Sequence, residues 1–492
     1  MSEARRNRPR VFLPRASLMV AAALIGIGIA SAPKAKAANV FWDTNSTSAN
    51  LGGAAGSWSG SNWYNAGTAT SASGTDATST ATFGAGDFAY FAGTAGTVTL
   101  DTTITVGGLN FGTAGYTLAS SGPALTLGSA GYTATGFAGE PRGITLSTAP
   151  SSLLTTISAN TVLANSQNWN ASLFNNLVLS GVLSQGATVS GLSKDGFGTV
   201  ALTNANTYAG MTTVRDGILS LGTATSAGTG ASPIRNGGDG TLGGGTLMLA
   251  ASNPYEGFTL ERNLELQGSG VRTADSRTLG DSAAFARAAQ GALASVGNNT
   301  VSGAVTFSSA VVSRIASLSG MLTLSGTVTL GAGQTTTVAG GGNTNITGLI
   351  PATTGGLIKA GGTALASTLI LGNSGNAFTG TVLASGGTIR VANAGALGLS
   401  TAGAAMEFNN GTLEVRADSS NVGSFSTKNV STSSNSGTIF LDRAIGGYGA
   451  GNLNQTVDFG SFVFGNTRTL TLNGRNGYRF SIGTVGAKDD VS

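Results

Sequence analysis

The sequence predicts an all-β chain wound as a parallel β-helix, and three observations carry that prediction. The first is a short unit: a glycine, any residue, then two aliphatic or aromatic residues separated by one. It occurs as "GTVTL" at 96, "GTVAL" at 198, "GILSL" at 217, "GTLML" at 245, "GAVTF" at 303 and "GMLTL" at 320, with further copies at 326, 387, 411 and 437. The second is spacing, since several consecutive copies lie 17 to 28 residues apart, about what one coil of a solenoid requires. The third is composition: 78 glycines, 9% charged residues and 40% hydrophobic residues in 492. That mixture is too apolar for a disordered chain and favours short strands and turns over helices. Alternation puts both aliphatics of each unit on one strand face, and the leading glycine suits a corner needing positive φ or close backbone approach. One such strand cannot bury its apolar face alone, so it must stack on the next copy.

Taken in order, residues 1–37 read as a signal peptide. Arg5, Arg6, Arg8, Arg10 and Arg15 form a basic start, Leu18 to Ala30 is an apolar run, and Ala35-Lys36-Ala37 is a cleavage site that places the mature start near Ala38. The run is too short to span a bilayer comfortably. Seven of the 25 basic residues and one of the 21 acidic ones lie in this segment, which leaves the remainder with a net charge of −2. The basic balance of the whole chain therefore belongs to the signal, and nucleic acid is not an expected partner.

Residues 38–130 hold three of the four tryptophans, Trp42, Trp58 and Trp63, together with "GDFAYF" at 86–91. They read as an N-terminal cap and first coils, because an open solenoid end exposes unpaired backbone and core. Stacking of these aromatics on sugars is the alternative.

Residues 131–270 are expected to be β-helix repeats, and they contain the longest repeated pattern. "NANTYAGMTTVRDGILSLG" at 204–222 aligns with residues 376–391 at a constant offset of 170. Asn206, Tyr208, Gly210, Gly217, Leu219 and Leu221 correspond to Asn376, Phe378, Gly380, Gly387, Ile389 and Val391. Upstream, "GLSKDGFGT" at 191–199 matches "GLIKAGGT" at 356–363, and a decayed copy lies at Asn253-Pro-Tyr255-Glu-Gly257. Asn206 is expected at a turn or in an asparagine ladder, Tyr208 capping the interior or over a corner, and Leu219 and Leu221 in the core.

The run 191–222 closely resembles the autotransporter-associated β-strand repeat of bacterial surface proteins. "LASVGNNTVSGAVTF" at 293–307 and the run 355–398 look like further members, and the opening at 41–112 resembles the usual mature start of such proteins. The resemblance implies a right-handed parallel β-helix (solenoid) with an N-terminal cap, exported and displayed as a passenger. It departs from the family at the end, "GAKDDVS", which lacks the alternating strands of an outer-membrane barrel. The expectations there are secretion alone, dependence on a partner translocator, or a truncated reading frame.

Residues 271–297 break the strand rhythm, and Asp281 can N-cap a short helix over "SAAFARAAQGALA", so a loop or small projecting helix is expected. Residues 298–492 are expected to be β-helix repeats and C-terminal coils, with an exposed Ser- and Asn-rich loop at 417–436.

Little here points to chemistry. Cysteine and histidine are absent, which excludes thiol nucleophiles, disulfides, the common zinc sites and a Ser-His-Asp triad. Of the charged region 256–287, "LERNLEL" at 260–266 read as one strand puts Glu261 and Glu265 on the same face, about 13 Å apart, too far for a glycosidase pair. Asp489-Asp490 is near the terminus, "GGDG" at 237–240 is a single calcium-like copy, and "AGGGN" at 339–343 lacks the Lys of a phosphate loop. Thr97 with Thr99 and Thr103 with Thr105 are scattered threonine pairs. No catalytic, cofactor or metal residue is assigned. The reading is a non-catalytic secreted or surface scaffold, stalk or adhesin-like passenger. Its expected partners are cell-surface glycans, other cells or an outer-membrane translocator. The alternative is a polysaccharide-acting β-helix enzyme using carboxylates from neighbouring coils.

Overall fold

The computed structural model describes residues 39–487 apart from 45–51, 66–82, 85, 129–141, 148–152, 173, 238–243, 252, 254, 272–290, 362–366, 400–405, 418–421, 433–434, 444–452 and 466. The chain divides into Met1–Lys36 and Ala37–Ser492. The expected signal peptide, 1–37, lies outside the described residues.

From Asn39 onward the described residues form a parallel β-helix whose coils carry short strands on up to three faces. Phe88–Phe91 lies on the first face, Thr97–Leu100 on the second and Ile104–Val106 on the third, and Gly108–Phe111 then returns to the first. Stacking is parallel and in register: Phe88 pairs with Gly108, Thr97 with Thr117 and Ile104 with Leu125. The first face runs to Val328–Thr329 and the second to Arg479–Ala487. The third is in two parts, Ile104–Val106 to Leu183–Gln185 and Thr259–Leu260 to Leu470–Gly474.

The alternation in the repeated glycine unit now has its cause. On the second face one inward column reads Val98, Leu118, Ile157, Leu179, Leu202, Leu221 and Leu249, each paired with the next. All seven are buried, each contributing about 1.5–3 kcal/mol relative to exposure. Coils spaced by a β-ladder, about 4.8 Å, let branched side chains in such a column touch directly.

The N-terminal end is closed by aromatics. Asn39–Trp42 pairs in parallel with Phe88–Phe91 and antiparallel with Trp63–Asn65, the only antiparallel strand pair among the described strands. That returning strand covers the ladder edge, which would otherwise offer unpaired backbone to another chain. Behind it Trp63 packs on Trp42, Trp58, Phe83 and Phe91 with ring centroids 4.6–5.8 Å apart. Trp42, Trp58 and Trp63 are at most 2% exposed, so their faces are used inside the protein and offer no platform for sugars.

Several local expectations need correcting. "LERNLEL" is two strands, Thr259–Leu260 on the third face and Leu264–Leu266 on the first. A corner at 261–263 therefore separates Glu261 from Glu265. The segment 417–436 is not simply an exposed loop: a 3-10 turn over Val422–Thr427 and the strand Val430–Ser431 stack on the coils, with Phe425 fully buried. One large aromatic among serines suffices to anchor a turn inside. Of 271–297, residues 272–290 lie outside the described residues, and Leu293–Val296 is already a second-face strand.

Candidate functional site

The repeated segment is the obvious place to look for a site, and its side chains turn inward onto backbone. Asn206 is buried, and its Oδ1 accepts from the Leu183 N–H at 2.7 Å while its Nδ2 donates to the Ser226 carbonyl at 2.6 Å. One side chain thereby brackets the coil before it and the coil after it. Asn376 does the same, accepting from Ile350 N–H at 2.9 Å and donating to the Ala396 carbonyl at 2.9 Å. This is a bracket between coils, not an asparagine ladder. Such segments carry no strand, and the amide side chain supplies what the missing ladder would have given their backbone.

Tyr208 and Phe378 beside them are fully buried, the Tyr208 hydroxyl lying 2.8 Å from Thr212 Oγ1. Gly210 and Gly380 pass so close to the preceding coil that a Cβ would stand 2.2 Å from the Ser190 carbonyl oxygen and 2.3 Å from that of Gly355. In the decayed copy the logic is lost: Tyr255 is 86% exposed, and the Asn253 Oδ1 accepts from the Tyr255 N–H two residues on, within its own turn.

The two copies do not sit on the same face. Thr199–Leu202 and Ile218–Leu221 lie on the second face, and their counterparts Thr368–Leu371 and Thr388–Val391 lie on the third. The motif is therefore a local module that builds one coil wherever it falls, rotated here by one face. A binding row running along one side of the solenoid would need equivalent residues on one face.

The module holds a residue that the alternation argument missed. Lys194 and Lys359 point into the interior, at most 1% exposed. The Lys194 ammonium donates to the carbonyls of Asp195, Gly196 and Asp216 at 2.7–3.1 Å, and Lys359 donates to the Ala360 carbonyl and to Ser367 Oγ. The signal available was a lysine kept in both "GLSKD" and "GLIKA", amid apolar alternation, in a chain only 9% charged. Burial pushes Lys194 down to about 7, against the attraction of Asp195 and Asp216, and pushes Lys359 down to about 8 with help from Arg314. Between these values and the ordinary 10.5, the unfolded chain binds more protons than the folded one, so stability rises with pH. Urea unfolding should show a gain between pH 7 and 10 of up to about 1.4 kcal/mol per pH unit per lysine. Lys194→Met should remove its share of that slope, and an unchanged slope would refute the assignment.

Outward-facing charge gathers elsewhere than in the expected region 256–287. On the third face Arg390 pairs in register with Glu414 and Glu414 with Phe440, and next to them Arg416 pairs with Asp442. Arg390 Nε meets Glu414 Oε2 at 2.6 Å, and Arg416 bridges Glu414 Oε1 and Asp442 Oδ2, each at 2.6 Å. Asp442 Oδ1 accepts from the Arg443 N–H and from Asn476 Nδ2, while Arg416 and Arg475 flank the Phe440 ring at 5.3 and 5.0 Å. The sequence signal was a 24- to 26-residue spacing, 390 to 414 and 416 to 442, one coil apart. A general base or nucleophile needs a lone pair aimed at substrate, and here both oxygens of each carboxylate are engaged by arginine or amide. The network ties three coils together.

The other candidates stay apart. Glu265 pairs with Arg235 at 2.6 Å. Arg262 turns inward to the carbonyls of Ala227 and Ser232. Asp101 is held down to about 2 by hydrogen bonds from Ser57 and Ser59, and it ties the cap to the first coils. Among the described residues no three acidic side chains come together as a metal site. Asp489-Asp490 and residues 238–240 of "GGDG" lie outside the described residues. The threonines need one correction: Thr368, Thr388, Thr412, Thr438 and Thr471 form an unbroken outward column, one per coil. The neighbouring column is Ile370, Arg390, Glu414, Phe440 and Asn473, too uneven to extend it into a regular threonine surface.

Comparison with known proteins agrees with this geometry. The family described as the passenger-associated-transport-repeat matches residues 192–221 and 366–391, the two modules bracketed by Asn206 and Asn376. The chain is 33% identical over 263 residues to the adhesin BmaC autotransporter of Brucella suis biovar 1 (strain 1330). That alignment covers 52% of this chain and 6% of the relative, so the chain spans only a small part of the protein it resembles. No solved structure matches it. Two separate stretches of this β-helix, 192–221 and 366–391, are thus transport-repeat modules, and over about half of its length the chain is similar to an autotransporter adhesin.

Proposed function

We propose that the protein is exported and displayed as a non-catalytic scaffold, and that its outward side chains provide adhesive contact with glycans or with other cells. The observation that carries this reading is the module itself, whose polar, aromatic and cationic residues are spent on joining one coil to the next. Such residues serve the coil stack, and the nearly neutral remainder after residues 1–37 suits a scaffold role at a surface. Adhesion comes from the relative named an adhesin, and its extension to this chain is our reading. Each coil can form on its neighbour as the chain emerges, and a chain without cysteine passes through a membrane without disulfides to undo.

An antibody to residues 191–222 should find the protein in the outer-membrane fraction or the medium of fractionated cells. Beads coated with the folded chain should adhere to cells or immobilised glycans without releasing sugar fragments. Confinement to the cytoplasm would overturn the reading on location, and polysaccharide cleavage would overturn it on activity.

A further inference from the structure

The coil from Arg468 to Ala487 holds three arginines and no acidic residue, in a chain whose net charge after residues 1–37 is −2. Arg468 and Arg475 flank the third-face strand Leu470–Gly474, and Arg479 opens the second-face strand Arg479–Ala487. Phe480 and Ile482 continue the inward column of Val457 and Phe459, so Arg479 faces outward. All three arginines are exposed. Elsewhere Arg235, Arg390 and Arg416 each meet a carboxylate at 2.6 Å. Here, among the described residues, none of the three forms an ion pair. The Arg468 guanidinium donates to Asn435 Oδ1 at 3.4 Å, and that of Arg475 lies 5.0 Å from the Phe440 ring centroid. Asp442 nearby is held by Arg416, the Arg443 N–H and Asn476. Asp458 stands diagonal to Arg479 one coil earlier, in register with Ser481.

We propose that this coil binds an acidic polysaccharide whose sugars bear carboxylates; the proposal rests on the glycan-adhesion reading above and names the chemistry of the glycan. An exposed guanidinium without a carboxylate keeps its planar fork free to take one bidentately. Arg468 and Arg475 lie at the two ends of one extended strand, roughly 20 Å apart. One small anion cannot bridge that distance, and a polymer that repeats its charge can. Between them the outward Thr471 and Asn473, with Thr438 one coil earlier, offer hydroxyl and amide groups to sugar hydroxyls. Contacts that are each weak at a surface gain from being made by one continuous chain.

Retention of the folded chain on immobilised polygalacturonate tests this, with dextran as the neutral polymer. Wild type should be retained on polygalacturonate alone and released as salt rises. Arg468→Gln, Arg475→Gln and Arg479→Gln combined should weaken binding at least about tenfold, with the far-UV strand signal unchanged. The same three positions changed to lysine, which keeps the charge, should retain most of the binding. Equal retention on the two polymers, untouched by the glutamine variant, would overturn the inference and leave adhesion to glycans standing. Retention on neither polymer, while coated beads still adhere to cells, would also overturn it. Beads that adhere to nothing would remove the adhesion reading as well. Tighter binding to phosphatidylglycerol vesicles than to polygalacturonate, lost in the glutamine variant, would assign the coil to a lipid surface instead.

Discussion

Asn206→Ala will cost about 2–6 kcal/mol, because it leaves two buried backbone groups without partners at about 1–3 kcal/mol each. The groups are the Leu183 N–H and the Ser226 carbonyl, on either side of the coil that Asn206 occupies. Asn376→Ala should cost the same by the same route, through Ile350 and Ala396. The two losses should add, since the modules share no partner. Asn204→Ala is the control, because its Nδ2 donates to Ser180 at an exposed site where water replaces it. Urea unfolding of wild type, the three single variants and the Asn206/Asn376 double variant measures this, and a cost at Asn206 no larger than at Asn204 would show that the bracket is not what joins the coils.

Trp63→Ala at the N-terminal end should cost about 3–5 kcal/mol, the usual figure for a buried large aromatic. It removes edge and tilted contacts with Trp42, Trp58, Phe83 and Phe91 and the Nε1 bond to the Trp58 carbonyl. Solenoid coils feel mainly their neighbours, so the damage should be graded. Hydrogen exchange should quicken most in Asn39–Trp42, Phe88–Phe91 and Gly108–Phe111, and little beyond Asn206. Had these tryptophans served sugars, the substitution would weaken binding and leave exchange unchanged.

The cap was legible because three tryptophans in a charge-poor opening have few other uses. The strands were legible because a glycine followed by alternating aliphatics reports a local preference and a local face. Lys194 was harder to read. A lysine is ordinarily assigned to solvent, and its three acceptors come from its own corner and from Asp216, one coil later. The cluster of Arg390, Glu414, Arg416 and Asp442 was missed for a related reason, as its members are adjacent only once coils are stacked in register. The corner at 261–263 was missed because alternation continues through it in the sequence while the chain turns from one face to another.

The sequence alone determined that this chain is a solenoid of short strands, that it repeats one module at 206 and 376, and that it lacks cysteine and histidine chemistry. Each of these follows from composition or from patterns within one coil's length. Tertiary structure decided which face each module occupies, which lysines turn inward and which carboxylates are spent on arginine. Those depend on which residues of different coils the corners bring into register, and that is set only once the coils are stacked.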